Sequence, residues 1–99
     1  MLFIKIDDNP LKDVKKEKLM QFFDERVFFK FMDSGRSGLV EASREIVITY
    51  LEWLKLHGVT RTVDQEKTII KLQRKMIDGF IKSGTEGLFD AIYTVLDAA

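Results

Sequence analysis

The stretch LVEASREIVITYLEWLKLH, Leu39 to His57, decides the fold. At about 100° per residue, Leu39, Ala42, Ile46, Val47, Tyr50, Leu51, Trp53 and Leu54 share one broad face. Glu41, Arg44, Glu45, Glu52 and Lys55 fall together on the other. Val40 and Ser43 lie inside the apolar arc, and Ile48 and Leu56 are its large apolar outliers. The spacing predicts an amphipathic helix of roughly five turns, stopped by Gly58.

Upstream, Asn9-Pro10 is a helix start signal, Asn as N-cap and Pro at the first helical position. A first helix is expected from Leu11 to about Met32. Lys12, Lys15 and Lys16 crowd its positive end, partly offset by Asp7, Asp8 and Asp13. Up to Arg26 it is amphipathic, with Leu11, Leu19, Phe22, Phe23 and Val27 on one side. From Val27 to Met32 it is apolar all round except Lys30, so it is either a central core helix or a core helix with a second, partner-binding face. Phe28 and Phe31 lie on one side of it; Phe29 aligns with Phe22 and Leu11 and is expected in the core. Eight phenylalanines in 99 residues favour an interaction surface. Met1 to Ile6 reads as an extended arm or a short strand, whose one candidate partner is Val27 to Phe31.

Asp33 to Gly38 reads as a loop. It superficially resembles a calcium loop, but Gly35 stands at the third position and Arg44 at the twelfth, where a bidentate Glu is required. Downstream, Thr62 with Gln65 forms a capping box that opens a helix to about Lys82. Ile69, Ile70, Leu72, Met76, Ile77, Phe80 and Ile81 cover half of it, and Lys67, Lys71, Arg74, Lys75 and Lys82 line the opposite side. Ser83 with Glu86 is a second capping box, opening a last helix with Leu88, Phe89, Ile92, Tyr93, Val95 and Leu96 apolar. No repeat, linker or low-complexity segment is evident. The expected fold is a single all-α domain over residues 1–99: a compact, orthogonal or bundle-like arrangement of four or more helices with a short N-terminal arm.

Composition narrows the function classes. Sixteen basic and sixteen acidic residues give a formal net charge of zero, without the basic excess of a dedicated nucleic-acid binder. The absence of cysteine excludes disulfides, thiolate zinc sites and thiol catalysis. No run reaches the roughly 18 apolar residues of a membrane span, and the N-terminus lacks the pattern of a signal peptide. A cytoplasmic protein is expected. His57, the single histidine, stands at a helix C-terminus with no triad or metal set beside it in sequence. No phosphate-loop or hydrolase motif is present, so neither an enzyme nor a cofactor is expected. His57 to Gln65 resembles the turn of a helix-turn-helix, followed by the basic helix. Leu54 stands where that motif needs a small residue, and Val63 arrives one position early. Direct nucleic-acid binding through Lys67, Lys71, Arg74 and Lys75 is therefore the lesser alternative.

Three patches resemble the AsiA-like anti-sigma factor family of T-even-type phages. They are Val27-Phe-Phe-Lys-Phe31; Leu39-Val-Glu-Ala-Ser-Arg44 leading through Tyr50-Leu51 to Gly58-Val-Thr60; and Ile77-Asp-Gly-Phe80 with Gly84-Thr-Glu-Gly-Leu-Phe89. The likeness spans about Lys18 to Leu96. The chain departs from the pattern in its N-terminal arm, a longer loop at Ser34 to Gly38, a longer second helix end, and the lack of a short helix after Thr60. The resemblance implies an all-helical regulator that binds the C-terminal promoter-recognition region of a bacterial host's primary sigma factor, blocking −35 recognition by RNA polymerase. By position it implies a partner-facing surface of Phe22, Val27, Phe28, Lys30 and Phe31. It also implies self-association as a homodimer, and a homodimeric helical interaction protein is the remaining alternative.

Overall fold

Trp53 fixes where the first helix begins. Its indole Nε1 donates to the Val14 carbonyl at 2.7 Å, an acceptor that a continuous helix would give to the N–H four residues on. In the computed structural model, which describes residues 10–59 and 63–98, Pro10–Asp13 is therefore a single 3-10 turn. Helix α1 follows as Lys16–Ser34, its N-cap Lys15 extended and without a side-chain cap. The expected helix from Leu11 to Met32 is thus two pieces. The lysines that oppose the helix dipole sit at the break and just inside it. The N-terminal arm, including Asn9, lies outside the described residues.

Helix α2 is Arg36–Leu56, the organising helix of the sequence reading, begun three residues earlier. Leu39, Ala42, Ile46, Val47, Tyr50 and Leu54 are buried, with Leu51 and Trp53 packed beside them. Val40, placed in the apolar arc by its angle, is exposed. Ser43 is fully buried and its hydroxyl donates to the Val40 carbonyl at 2.8 Å. Helix α3 is Gln65–Ala98. Its cap is Asp64, whose Oδ1 accepts the Lys67 backbone N–H at 3.2 Å; the Thr62 of the expected capping box lies outside the described residues.

Three α-helices make the described chain, not four or more. The two helices expected on either side of Ser83 are one element, α3, in which Gly84 (φ 67°, ψ −147°) alone leaves helical geometry. Likewise Asp33 to Gly38 is not a loop: Gly35 (φ 59°, ψ −132°) is the sole residue between α1 and α2. These dihedrals belong essentially to glycine. The backbone turns a sharp corner at each. A Cβ on Gly38 would lie 2.0 Å from the Lys30 carbonyl oxygen, and one on Gly87 would lie 2.1 Å from that of Gly79. A straight helix holds residues so spaced about 12 Å apart.

The two corners are copies of each other. FMDSGRSGL (31–39) and FIKSGTEGL (80–88) share Phe, Ser, both glycines and Leu at one constant offset. The same offset relates Leu39 to Leu88, Ala42 to Ala91, Ile46 to Val95 and Val47 to Leu96, all buried. It also relates Phe23 to Leu72 and Val27 to Met76, again buried. Even the starts of α1 and α3 coincide, Lys16 with Gln65. The chain is therefore an internal repeat of one helical corner, contrary to the expectation of no repeat: the matching corner segments stand in the sequence, but the faces outside the core have diverged. Equivalent phenylalanines Phe31 and Phe80 pack against each other with tilted rings, centroids 4.6 Å apart. The repeats close over one shared core, and α2 packs against both α1 and α3.

Candidate functional site

Leu19, Phe23 and Val27, each four residues apart, set the inner face of α1. Everything about half a turn from them must face outward, and on this helix that includes four large apolar side chains. Phe22 (51% exposed), Phe28 (53%), Phe29 (57%) and Met32 (68%) form an aromatic outer face. Lys18, Glu25 and Asp33 are exposed among them.

The expected surface residues separate accordingly. Phe22 and Phe28 are on this face. Phe31 is half-buried at its edge, held by the tilted ring contact with Phe80. Lys30 is directed toward α2, with Nζ 3.1 Å from Glu41 Oε1 and 4.0 Å from Glu45 Oε2. Val27 is completely buried, so it supports the face from below and is not part of its exposed surface. Phe29, expected in the core, is exposed, because it lies 200° from Val27 and shares the angle of Phe22, which is itself outside. Phe29 and Met32 are the members that sequence reasoning missed; setting the helix register on Leu19-Phe23-Val27 would have found both.

Two features border the face. Between the corners, Val27, Phe28, Phe31, Phe80, Leu88 and Phe89 help line an apolar pocket of about 160 Å³, room for one aliphatic side chain of a partner. On the α2 side, Phe22 and Ile48 flank a groove that also contains Arg26, Glu45 and Arg44. There Arg26 Nε donates to Glu45 Oε1 at 2.8 Å and Nη2 to Oε2 at 3.4 Å. This forked contact holds the Glu45 carboxyl below its ordinary pKa. Arg44 reaches Glu66 at 3.2 Å and ties α2 to the start of α3.

Opposite the groove, the Tyr93 hydroxyl donates to Asp24 Oδ2, joining the end of α3 to α1. Asp24 Oδ1 is buried without a partner. Burial pushes the Asp24 carboxyl above its usual range despite that hydrogen bond, and burial with the nearby carboxylate pushes the Tyr93 hydroxyl up to about 12. His57 lies against Trp53, ring centroids 4.3 Å apart, and its Nδ1 is 2.9 Å from the Trp53 carbonyl. It closes the end of α2.

No family model, no curated protein and no solved structure matches this chain. Its site is therefore read from its own residues. The alternative nucleic-acid residues Lys67, Lys71, Arg74 and Lys75 are all exposed on α3. The turn that would make a helix-turn-helix with α3 includes residues 60–62, outside the described residues. No helix among the described residues is long and apolar enough to cross a membrane.

Proposed function

We propose that this chain is a protein-binding transcriptional regulator of the anti-sigma type. It docks the aromatic face of α1 on the C-terminal promoter-recognition region of a bacterial primary sigma factor and so blocks −35 recognition. Phe22, Phe28, Phe29 and Met32 supply the apolar contact, Phe31 and Lys30 its edge. One observation carries the docking role. The repeat offers an internal control, in which the positions of Phe22 and Phe29 are occupied by Lys71 and Asp78. The same corner thus folds with charged residues there, so the fold does not require the aromatics. Large exposed aromatics that folding does not need are the usual anchors of an interface. The choice of sigma factor as partner rests on the resemblance of Val27 to Phe31, Leu39 to Arg44 and Ile77 to Phe89 to the AsiA-like family.

The immobilised chain, incubated in bacterial lysate, is expected to recover RNA polymerase through its sigma subunit. Phe22→Ser is expected to abolish that recovery. Retention of DNA duplex that falls steeply with salt, without sigma, would point instead to direct DNA binding.

Self-association through the same face is a second reading, supported by its charge pattern. In an antiparallel pair of α1 helices with Phe22 opposite the second copy's Phe29, Lys18 of each meets Asp33 of the other. The homodimer then hides the sigma-binding face, and the two interactions compete.

A further inference from the structure

The other repeat presents its own outer face, on the first half of α3. Ile70 is 52% exposed and Ile81 71%, with half-buried Ile77 between them. At about 100° per residue these three lie within about 40° of one another, with Arg74 in the same stripe. Lys67, Lys71 and Lys75 form a shoulder along one side. Two adjoining shallow depressions lie along the stripe, one at Lys67, Ile70, Lys71 and Arg74 and the next at Ile70, Gln73 and Ile77. Ile69, Leu72 and Met76 anchor it from behind in the core.

Four basic side chains share this face with one carboxylate, Asp78. On the α1–α2 side Arg26, Lys30 and Arg44 each have a carboxylate partner. Among the described residues none of the side chains of Lys67, Lys71, Arg74 and Lys75 has one, and the nearby Glu66 is taken by Arg44. The equivalents of Ile77 and Ile81 in the first repeat are Phe28 and Met32, so both repeats carry an apolar stripe, edged by aromatics on α1 and by lysines on α3.

We propose that this face of α3 is a second docking surface, for an acidic amphipathic helix of another protein. Its leucine-like stripe would lie along Ile70, Ile77 and Ile81, and its carboxylates would meet Lys67, Lys71, Arg74 and Lys75. Duplex DNA offers phosphates but nothing for three isoleucines. An anionic bilayer offers both, yet sets continuous negative charge against Asp78, which stands within the lysine shoulder. A helix can leave that position neutral. The two outer faces would then let one small chain bridge two different proteins.

The test is a titration of the full chain with a helix-stapled peptide that carries a leucine stripe edged by glutamates. A glutamine-edged version, a mixed-sequence DNA duplex and phosphatidylglycerol vesicles are titrated beside it, with amide chemical shifts mapping the contact. The glutamate peptide is expected to perturb the outer face of α3, and the glutamine version to bind at least about tenfold more weakly. Ile70→Ser and Lys71→Glu are each expected to weaken binding by about tenfold, whereas Phe22→Ser leaves it unchanged. Any one of four results overturns the proposal: no peptide binding up to millimolar concentration, shifts confined to α1, tighter binding of duplex or vesicles than of peptide, or sensitivity to Lys71→Glu with none to Ile70→Ser.

Discussion

Asp24 and Tyr93 make stability depend on pH in a direction opposite to that of the Arg26–Glu45 pair. Asp24 has a raised folded pKa, so its contribution is fully present below the ordinary carboxylate range and is lost as pH rises through the folded value. Glu45, with a lowered pKa, contributes above its unfolded range, and that contribution fades as pH falls through the folded value. Tyr93, pushed up to about 12, contributes below pH about 10 and loses that contribution between there and about 12. Tyr93→Phe removes the hydroxyl donor to Asp24. It should cost about 1–2 kcal/mol at neutral pH and clearly less at acid pH below the ordinary carboxylate range, where the carboxyl is protonated; urea midpoints across pH would show this. A cost that is the same at both pH values would rule out the charged hydrogen bond as its source. Neither partner of this contact stood out in the sequence, because a pairing between residues 24 and 93 is created only by the corner at Gly84. The phenylalanines are separated at the same scale. Phe23→Ala should cost about 3–5 kcal/mol of stability, as a fully buried aromatic does. Phe29→Ala, at the surface, should cost under about 1 kcal/mol. Equal losses in thermal unfolding would place Phe29 in the core after all.

The elements stand or fall on their corners. Gly84→Ala keeps open space around the new Cβ but forces an alanine into a glycine conformation, at about 1–3 kcal/mol. Gly87→Ala instead drives a Cβ into the Gly79 carbonyl, a backbone atom that cannot turn aside, and should cost more than about 2 kcal/mol. If both variants unfold at the wild-type urea concentration, the corners are not close-packed as described. Asp64→Ala should remove about 1 kcal/mol through loss of the α3 cap. Helix α2 was legible from Leu39 onward, since its apolar period is regular and, Val40 apart, its burial follows it. The break before Lys16 was not, because the hydrogen bond that makes it comes from Trp53, distant in the chain. Nor was the number of helices. Serine-glycine signals mark a place where a helix cannot run straight, and a single glycine turns the chain there without a connecting loop.

At the scale of the whole molecule, the repeat divides what folding requires from what it leaves free. Most positions facing the shared core are apolar in both copies, with Ser43 opposite Ile92 and Leu19 opposite Thr68 as exceptions. Outward positions keep an apolar pair, Phe28 with Ile77 and Met32 with Ile81, but diverge at Phe22 with Lys71 and Phe29 with Asp78, and that divergence is where function is expected to reside. The candidate site was legible in the sequence as an excess of phenylalanine between residues 22 and 31. Which of them face outward was missed, because the all-apolar run has no period of its own and the register must be carried in from Leu19 and Phe23 upstream. The most direct test of the account exchanges the outer residues of one repeat for those of the other, in the double variant Phe22→Lys with Phe29→Asp. Its urea unfolding is measured beside its affinity for the C-terminal region of a bacterial primary sigma factor. The account predicts stability within about 1 kcal/mol of wild type and binding weakened about a hundredfold or more. An unfolded variant, or a folded one that binds sigma as tightly as before, would contradict it.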